Sequence, residues 1–180
     1  DNLNITFIGQ LSVRKGLHIL LETFNKIKYL KKKLHIIGSK TNDFKFLVKK
    51  IEFDETDVKF YGHQTHNEIN KILNQSDLFV LPSIEEGMAF VVFQSISAGC
   101  PVLITENTGA KELVEKYNCG IVVKLDEINM IPEIVLDLIN NREKLELIKE
   151  NTKKASTGHT WHDYKIKLNE IVNHYKENNK

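Results

Sequence analysis

Short apolar runs alternate with longer amphipathic stretches along most of the chain. The first run, Asn4 to Gly9, is β-branched and aromatic and ends in glycine, and Leu17 to Leu30 then carries apolar residues at helical spacing. This unit of strand and helix recurs along the sequence. The predicted strands are Asn4 to Gly9, Leu34 to Gly38, Val58 to Gly62, Asp77 to Pro82, Val102 to Thr105 and Gly120 to Val123. The predicted helices are Leu17 to Leu30, Asp43 to Phe53, Asn67 to Gln75, Met88 to Ala98 and Ala110 to Lys116.

Strict alternation of short hydrophobic strands with helices predicts an α/β fold with a parallel sheet. Because crossovers between parallel strands are right-handed, we expect a doubly wound, Rossmann-like sheet of about six strands with helices on both faces. Past Val123 the pattern is helical only, and Trp161 to Tyr175 is predicted as a last amphipathic helix. The 180 residues suit a single domain, residues 1–180.

Composition and charge argue against binding of nucleic acids or other polyanions. Charged residues make up 27% of the chain and the net charge is +1, which does not favour a strongly basic nucleic-acid surface. We interpret Lys31, Lys32 and Lys33 as the solvated end of the first helix, matched to its dipole, rather than as a polyanion site.

Cysteine content and hydropathy indicate a cytoplasmic protein. Cys100 and Cys119 each precede an apolar run and are expected to be reduced core thiols, with a disulfide bridge as the alternative. Apolar runs such as Ala89 to Phe93 are far shorter than the roughly 18 residues of a membrane span. The chain leads directly into a strand without a signal peptide, as expected of a domain cut from a longer protein.

The loop after the first strand, Gly9 to Gly16, is a candidate anion site. It lacks the glycine spacing of a dinucleotide fingerprint or a P-loop. Arg14 and Lys15 stand at the start of a helix and are predicted to form a diphosphate clamp; a solvated basic pair is the alternative.

A second candidate site follows the fourth strand. Glu85, Glu86 and Gly87 lie at a strand end and open a helix, where open α/β sheets bind ligands. Glu86 and Gln94 are spaced to face one cleft from the same helix region, where they would suit an elongated ligand. In the alternative interpretation the acids pair with the helix dipole and Gln94 is a surface residue.

Other polar positions have structural interpretations. Thr108, after the fifth strand, is expected to be a helix N-cap with Glu112 as its capping partner, and ligand contact is the alternative. His63 follows the third strand, where a nucleobase lies in such a fold, or is a solvated loop residue. His159 and His162 are expected to lie in a surface turn rather than in a metal site.

These segments together resemble the C-terminal, donor-binding domain of a glycosyltransferase family 4 enzyme, one lobe of the retaining GT-B fold. The resemblance begins at FIGQLSVRKG, continues through LHIIG, VKFYGH and DLFVLPS, and is strongest from Glu85 to Val114. It ends with CGIVV and the HTWHDY segment around Trp161.

The resemblance implies roles for particular residues. Two family glutamates separated by seven residues fall on Glu86, which would hold hydroxyls of the transferred sugar, and on Gln94, which would bond the ribose. The family lysine of the first loop is Lys15, and the family arginine is replaced by Gln10, so Arg14 is the candidate for the missing cation. Lys15 and Glu86 are the implied catalytic residues. The implied donor-binding residues are Gly9, Gln10, Arg14, Lys15, His63, Glu86, Gly87, Met88, Ala89, Phe90 and Gln94.

The implied chemistry is transfer of a sugar from a nucleotide diphosphate to an acceptor hydroxyl, with retention of anomeric configuration and without a metal or other cofactor. The partners implied are the nucleotide-sugar donor and an N-terminal acceptor domain of the same full-length protein, absent from this chain. Any association of the intact, cytoplasmic enzyme with the inner face of a membrane would be through that domain. The fragment alone is expected to be inactive. Two rival functions remain open at this stage: a degenerate nucleotide-sugar-binding module and a GT-B-type sugar-nucleotide epimerase using His63. A flavodoxin-like regulator would need an acidic pocket near the first strand, and Gly9 to Gly16 contains no acidic residue.

Overall fold

A computed structural model describes residues 2–157 and residue 175. Within this part of the chain, six strands form one sheet in the order β3-β2-β1-β4-β5-β6, with every neighbouring pair parallel. The strands are β1 Leu3–Ile8, β2 Lys32–Ile37, β3 Val58–Gly62, β4 Leu78–Leu81, β5 Val102–Thr105 and β6 Gly120–Val123. The predicted α/β fold and doubly wound parallel sheet are confirmed.

Helices connect the strands and cover both faces of the sheet. α1 packs on α2, whereas α3 packs on α4, as right-handed crossovers on the two halves of the sheet require. After β6, α6 packs on α1, and α7 packs on α4 and α5. The helices are α1 Leu17–Lys26, α2 Phe44–Lys49, α3 His66–Leu73, α4 Phe90–Ser97, α5 Lys111–Tyr117, α6 Ile131–Asn140 and α7 Arg142–Thr157, with a 3₁₀ helix at Leu125–Met130.

The core lies on both sides of the central strands. Every residue of β4 and β5 is buried, which explains why these strands are continuously apolar instead of alternating. Phe7, Phe24 and Phe79 are among the largest fully buried side chains. Cys100 and Cys119 belong to this core as free thiols, and the predicted reduced state agrees with the structure.

Several predicted helix ends are wrong, and three of them have a visible cause. α1 ends at Lys26 instead of Leu30, and β2 already includes Lys32. The Lys32 ammonium donates to the carbonyls of Phe24 and Ile27, at 2.6 and 2.8 Å, so it caps α1 from the neighbouring strand instead of closing it from within. Burial lowers the pKa of Lys32.

The other two helix ends have different causes. α2 ends at Lys49 instead of Phe53, and Asp54 then accepts hydrogen bonds from the N–H and hydroxyl of Thr56, a turn that competes with helix. α4 begins at Phe90 instead of Met88, because the preceding loop is bonded to the loop after β5, as described below.

The end of the chain is described only in part. The predicted helix Trp161 to Tyr175 lies outside the described residues except for Tyr175, and so do His159 and His162. Among the described residues, we find no helix with the length and hydropathy of a membrane span.

Candidate functional site

The strand order reverses between β1 and β4, which are neighbours in the sheet although β2 and β3 separate them along the chain. The loops after these two strands, residues 9–16 and 82–89, therefore leave the carboxyl edge side by side in opposite directions. Open α/β sheets bind ligands in the crevice formed at such a reversal point. We call these two loops the β1 loop and the β4 loop.

Gly16 lets the two loops touch. It has a left-handed backbone, with φ of +71°, and a Cβ placed there would lie 1.9 Å from the carbonyl oxygen of Pro82. Next to this contact, the N–H of Ile84 donates to the carbonyl of Arg14 at 2.9 Å. The start of α1 is thus fixed against the end of β4, with no room for a side chain between them.

Lys15 and Glu86 meet in this crevice. The Lys15 ammonium is ion-paired with the Glu86 carboxylate, and the two side chains are only 12% and 11% exposed. The alkyl chain of Lys15 passes over Gly9, whose added Cβ would lie 3.7 Å from Lys15 Cδ. A lysine and a glutamate so little exposed form the most buried charge pair that the structure describes between the two loops.

Arg14 lies at the open side of the same pair. Its guanidinium Nη1 donates to the Glu85 carbonyl at 3.1 Å and lies 3.5 Å from the Glu86 carboxylate. The Arg14 side chain is 51% exposed, so it remains accessible to a ligand. Two cations therefore face one carboxylate, which leaves positive charge available for an anion.

The β4 loop is also bonded to the loop after β5. The N–H of Glu86 donates to the carbonyl of Asn107 at 3.1 Å, and the N–H of Gly109 donates to Gly87 at 2.9 Å. A Cβ at Gly109 would lie 2.4 Å from the Gly87 carbonyl oxygen, so the loops touch without an intervening side chain. This contact fixes the position of the Glu86 carboxylate.

Thr108 is not a helix cap. The residue is 2% exposed, and its hydroxyl lies 3.3 Å from that of Thr105. The N-cap of α5 is Ala110, which has no side-chain hydrogen bond. The predicted capping pair of Thr108 and Glu112 is therefore wrong, because the chain makes an additional turn before α5 begins.

Two helices begin at the crevice with uncapped ends. The N-caps of α1 and α4 are Gly16 and Ala89, neither of which has a side chain that accepts a hydrogen bond, and the first turns of these two helices contain no acidic residue. Gly87 lies beside open space, while Met88 and Phe90 are 61% and 62% exposed. Uncapped N–H groups and the positive ends of two helix dipoles favour an anion.

Gln94 lies against α3 instead of joining the Lys15 and Glu86 pair. Its amide nitrogen is 3.2 Å from His66 Nδ1 and 3.3 Å from Asn70 Oδ1. His63 is exposed in the turn between β3 and α3, and Gln10 is exposed in the β1 loop. The structure thus brings Arg14, Lys15 and Glu86 into direct contact and places Gln94 in a neighbouring polar cluster.

His66 and Asn70 were not predicted as site residues from the sequence. A signal for them was present in Thr65 and Glu68, which have the spacing of a capping box and form one: the N–H of Thr65 donates to the Glu68 carboxylate at 2.8 Å. This pattern fixes the start of α3 at His66, and therefore its place at the carboxyl edge of the sheet.

The fold and the crevice define a Rossmann-like lobe of the GT-B glycosyltransferase type. HepE of Anabaena, solved in complex with UDP and glucose, superposes with a TM-score of 0.82 at 23% identity, covering 96% of this chain and 48% of that one. The C-terminal domain of the group 1 glycosyl transferase LpcC from Francisella tularensis gives a TM-score of 0.77 at 22% identity, covering 86% of this chain and 84% of that one.

The chain belongs to the family described as glycosyl transferases group 1, whose pattern it matches over residues 1–155. A curated relative, the capsular polysaccharide biosynthesis glycosyltransferase CapM of Staphylococcus aureus, is 29% identical over 161 residues, which cover 86% of this chain and 41% of that protein. The chain spans less than half the length of the curated relatives it matches.

Proposed function

We propose that this domain binds a nucleotide diphosphate sugar in the crevice between the β1 and β4 loops, and that the intact protein is a retaining, hexosyl-transferring enzyme of glycosyltransferase family 4 that acts in glycan, polysaccharide or glycolipid synthesis. The observation that carries the proposal is the contact between Lys15 and Glu86 at the reversal point of the sheet. A cation for a diphosphate and a carboxylate for sugar hydroxyls are there held next to each other.

Each charged residue has a role that follows from its chemistry. When the glycosidic bond breaks, negative charge develops on the diphosphate oxygen, and Lys15 stabilises it with Arg14 in support. Glu86 accepts hydrogen bonds from sugar hydroxyls and so orients the reacting carbon. The N–H groups at the starts of α1 and α4 add donors to the phosphates or sugar. Gly87, Met88 and Phe90 are exposed at the start of α4, whereas Ala89, which the resemblance also implied, is buried.

Side-chain cations and backbone N–H groups supply the positive charge that Mg²⁺ provides in other transferases, so the proposal needs no metal. The acceptor site belongs to a second, N-terminal domain of the full-length protein, and that domain decides any association with the cytoplasmic face of a membrane. On this proposal, the chain alone binds donor and does not transfer sugar.

The test is ligand-observed NMR with UDP, GDP and ADP on this chain, repeated with Lys15→Ala and Glu86→Ala. Loss of one charge-assisted bond of about 1.5 to 3 kcal/mol predicts roughly 10- to 100-fold weaker diphosphate binding in Lys15→Ala. Lys45→Ala and Glu133→Ala, which alter exposed residues of α2 and α6, are the matched controls. Indifference of binding to both site substitutions, in variants that melt cooperatively, would refute the proposal.

A further inference from the structure

We infer that His66 and Asn70 are positioning residues that fix the side-chain amide of Gln94 in one orientation, so that position 94 offers its ligand a carbonyl oxygen and no N–H group. The inference rests on the proposed function for the identity of the ligand, a nucleoside diphosphate whose ribose hydroxyl donates to that oxygen. The orientation itself follows from contacts within α3 and α4.

Both positioning residues lie on one face of α3. His66 is the first residue of the helix and Asn70 follows four positions later, so their side chains are neighbours along the helix axis. The capping box of Thr65 and Glu68 holds this first turn: Thr65 Oγ accepts from the N–H of Glu68 at 3.4 Å while the Glu68 carboxylate accepts from the N–H of Thr65. The two groups that face Gln94 therefore start from a fixed turn.

The amide of Gln94 has two hydrogens and one oxygen to share out. Its nitrogen is 3.2 Å from His66 Nδ1 and 3.3 Å from Asn70 Oδ1, so both hydrogens have a partner on α3 when Nδ1 is the ring nitrogen without a hydrogen. The described part of the chain gives the amide oxygen no donor, and this oxygen is not among the buried atoms that lack a partner. The oxygen is thus left accessible, as an acceptor for a hydroxyl.

The same contacts determine the state of His66. If Nδ1 accepts a hydrogen bond from Gln94, the ring hydrogen is on Nε2. The inverted arrangement, in which the Gln94 oxygen faces α3, places that oxygen against Asn70 Oδ1, and it requires His66 to carry its hydrogen on Nδ1 and Asn70 to turn over as well. The tautomer of His66 therefore reports which group of Gln94 faces outward.

The cluster is matched to glutamine and not to glutamate. A carboxylate at position 94 has no hydrogen to give, and it would face the lone pairs of His66 Nδ1 and Asn70 Oδ1 unless the His66 hydrogen moves to Nδ1 and the Asn70 amide turns over. A glutamate therefore requires both partners on α3 to change, whereas Gln94 uses them as they stand.

The first measurement is the tautomer of His66 in the ligand-free chain, read from long-range ¹⁵N–¹H NMR near neutral pH. The expected result is a hydrogen on Nε2. A hydrogen on Nδ1 would overturn the inference whatever the chain binds.

The second measurement is a mutant cycle read by titration with UDP, GDP and ADP, using the one that binds most tightly and its 2′- and 3′-deoxy analogues. His66→Ala and Asn70→Ala each weaken binding about fivefold, the effect of one neutral hydrogen bond. Asn67→Ala, an exposed neighbour on α3, is the control and leaves binding unchanged. In a Gln94→Ala background, His66→Ala has no further effect, and Gln94→Glu binds more weakly than the parent chain.

Two results of the cycle would overturn the inference: Gln94→Glu binding more tightly than the parent, or His66→Ala weakening binding equally with and without Gln94. The second would mean that His66 itself contacts the ligand. If none of the three diphosphates binds, the proposed function fails together with the ligand half of the inference, whereas the tautomer still decides the orientation of Gln94. His66 and Asn70 are exposed, and a thermal melt of each variant shows whether it folds.

Discussion

At the scale of single residues, the candidate site consists of charges that already satisfy one another. Lys15 and Glu86 are paired and nearly buried, while Arg14 reaches the same carboxylate from outside at 3.5 Å. Removing one partner of a buried pair leaves an uncompensated charge, so each residue stabilises the ligand-free crevice as well as any complex. On the proposed function, a bound diphosphate competes with Glu86 for the Lys15 ammonium.

This competition predicts opposite effects of Glu86→Gln on two ligands. For whichever of UDP, GDP and ADP binds, the free diphosphate binds as well as before or more tightly, because Lys15 is released. The corresponding glucose conjugate loses a charge-assisted hydroxyl bond, so the ratio of the two dissociation constants rises about tenfold. Isothermal titration measures both. Glu85→Gln is the matched control, since Arg14 contacts only the backbone carbonyl of Glu85. Equal weakening of both ligands would contradict the competition.

At the scale of elements, contacts between loops position the candidate site. Gly16 brings the start of α1 onto the end of β4, and Gly109 brings the loop after β5 onto the β4 loop. Both contacts are between backbones, where any side chain would collide. The loops that carry Lys15 and Glu86 are thereby fixed to each other and to the sheet, which preorganises the crevice.

Gly16→Ala is expected to destabilise the fold strongly, and Gly62→Ala supplies the control. Both glycines have a left-handed φ, of +71° and +69°, but a Cβ at Gly62 meets nothing within 4 Å. The Gly62 substitution therefore costs only the backbone strain of about 1 to 2 kcal/mol. The Gly16 substitution adds a collision with the Pro82 carbonyl, so we expect a loss of more than about 3 kcal/mol in the free energy of unfolding, measured in urea. Equal losses would show that the β1 and β4 loops separate without cost.

At the scale of the whole molecule, one sheet carries the crevice on its carboxyl edge and a continuous core through its centre. Helices from the end of the described chain complete that core: α7 covers α4 and α5, and Thr152 of α7 donates to the Cys119 carbonyl at 3.1 Å. The β4 loop and α4 are thus supported from behind by residues far along the chain. We expect a reagent to reach the buried core only when this packing opens.

Chemical labelling of the two buried cysteines tests whether this packing opens as one unit. Burial raises the pKa of the Cys100 thiol to about 12 and that of Cys119 to about 11, so both stay protonated and unreactive in the folded chain. We expect a thiol reagent near pH 8 to label both cysteines at one slow rate that increases with urea. Ser97→Cys, an exposed position on α4, provides the freely reacting control. Fast labelling of only one native cysteine would show that the segment around it opens separately.

The same two thiols predict how the free energy of unfolding changes at alkaline pH. Unfolded cysteines ionise near their ordinary pKa of 9.0, before the folded ones do. The contribution of the two buried thiols to the free energy of unfolding is therefore complete below pH 9.0, and it is lost as the pH rises towards their raised pKa values.

The fold was largely predictable because the alternation of strand and helix depends on hydrophobic periodicity, which is local. The bounds of β3, β5 and β6 agree with the prediction. The ends of α1, α2 and α4 do not, because Lys32, the turn at Asp54 and the contact with the loop after β5 decided them, and these act through the backbone or from a neighbouring element. The candidate site was foreseen as two loops, yet the arrangement of its polar groups was not.

The sequence by itself determined the class of fold, the carboxyl-edge position of Lys15 and Glu86, and the apolar character of the central strands, since each follows from residues close along the chain. The tertiary structure decided the contacts. Lys15 and Glu86 are 71 positions apart and meet only because β1 and β4 are neighbours in the sheet. Gln94 turns to α3 because its amide meets His66 and Asn70, 28 and 24 positions away. Hydrogen-bond partners depend on distances of a few ångströms between remote segments, which no local pattern specifies.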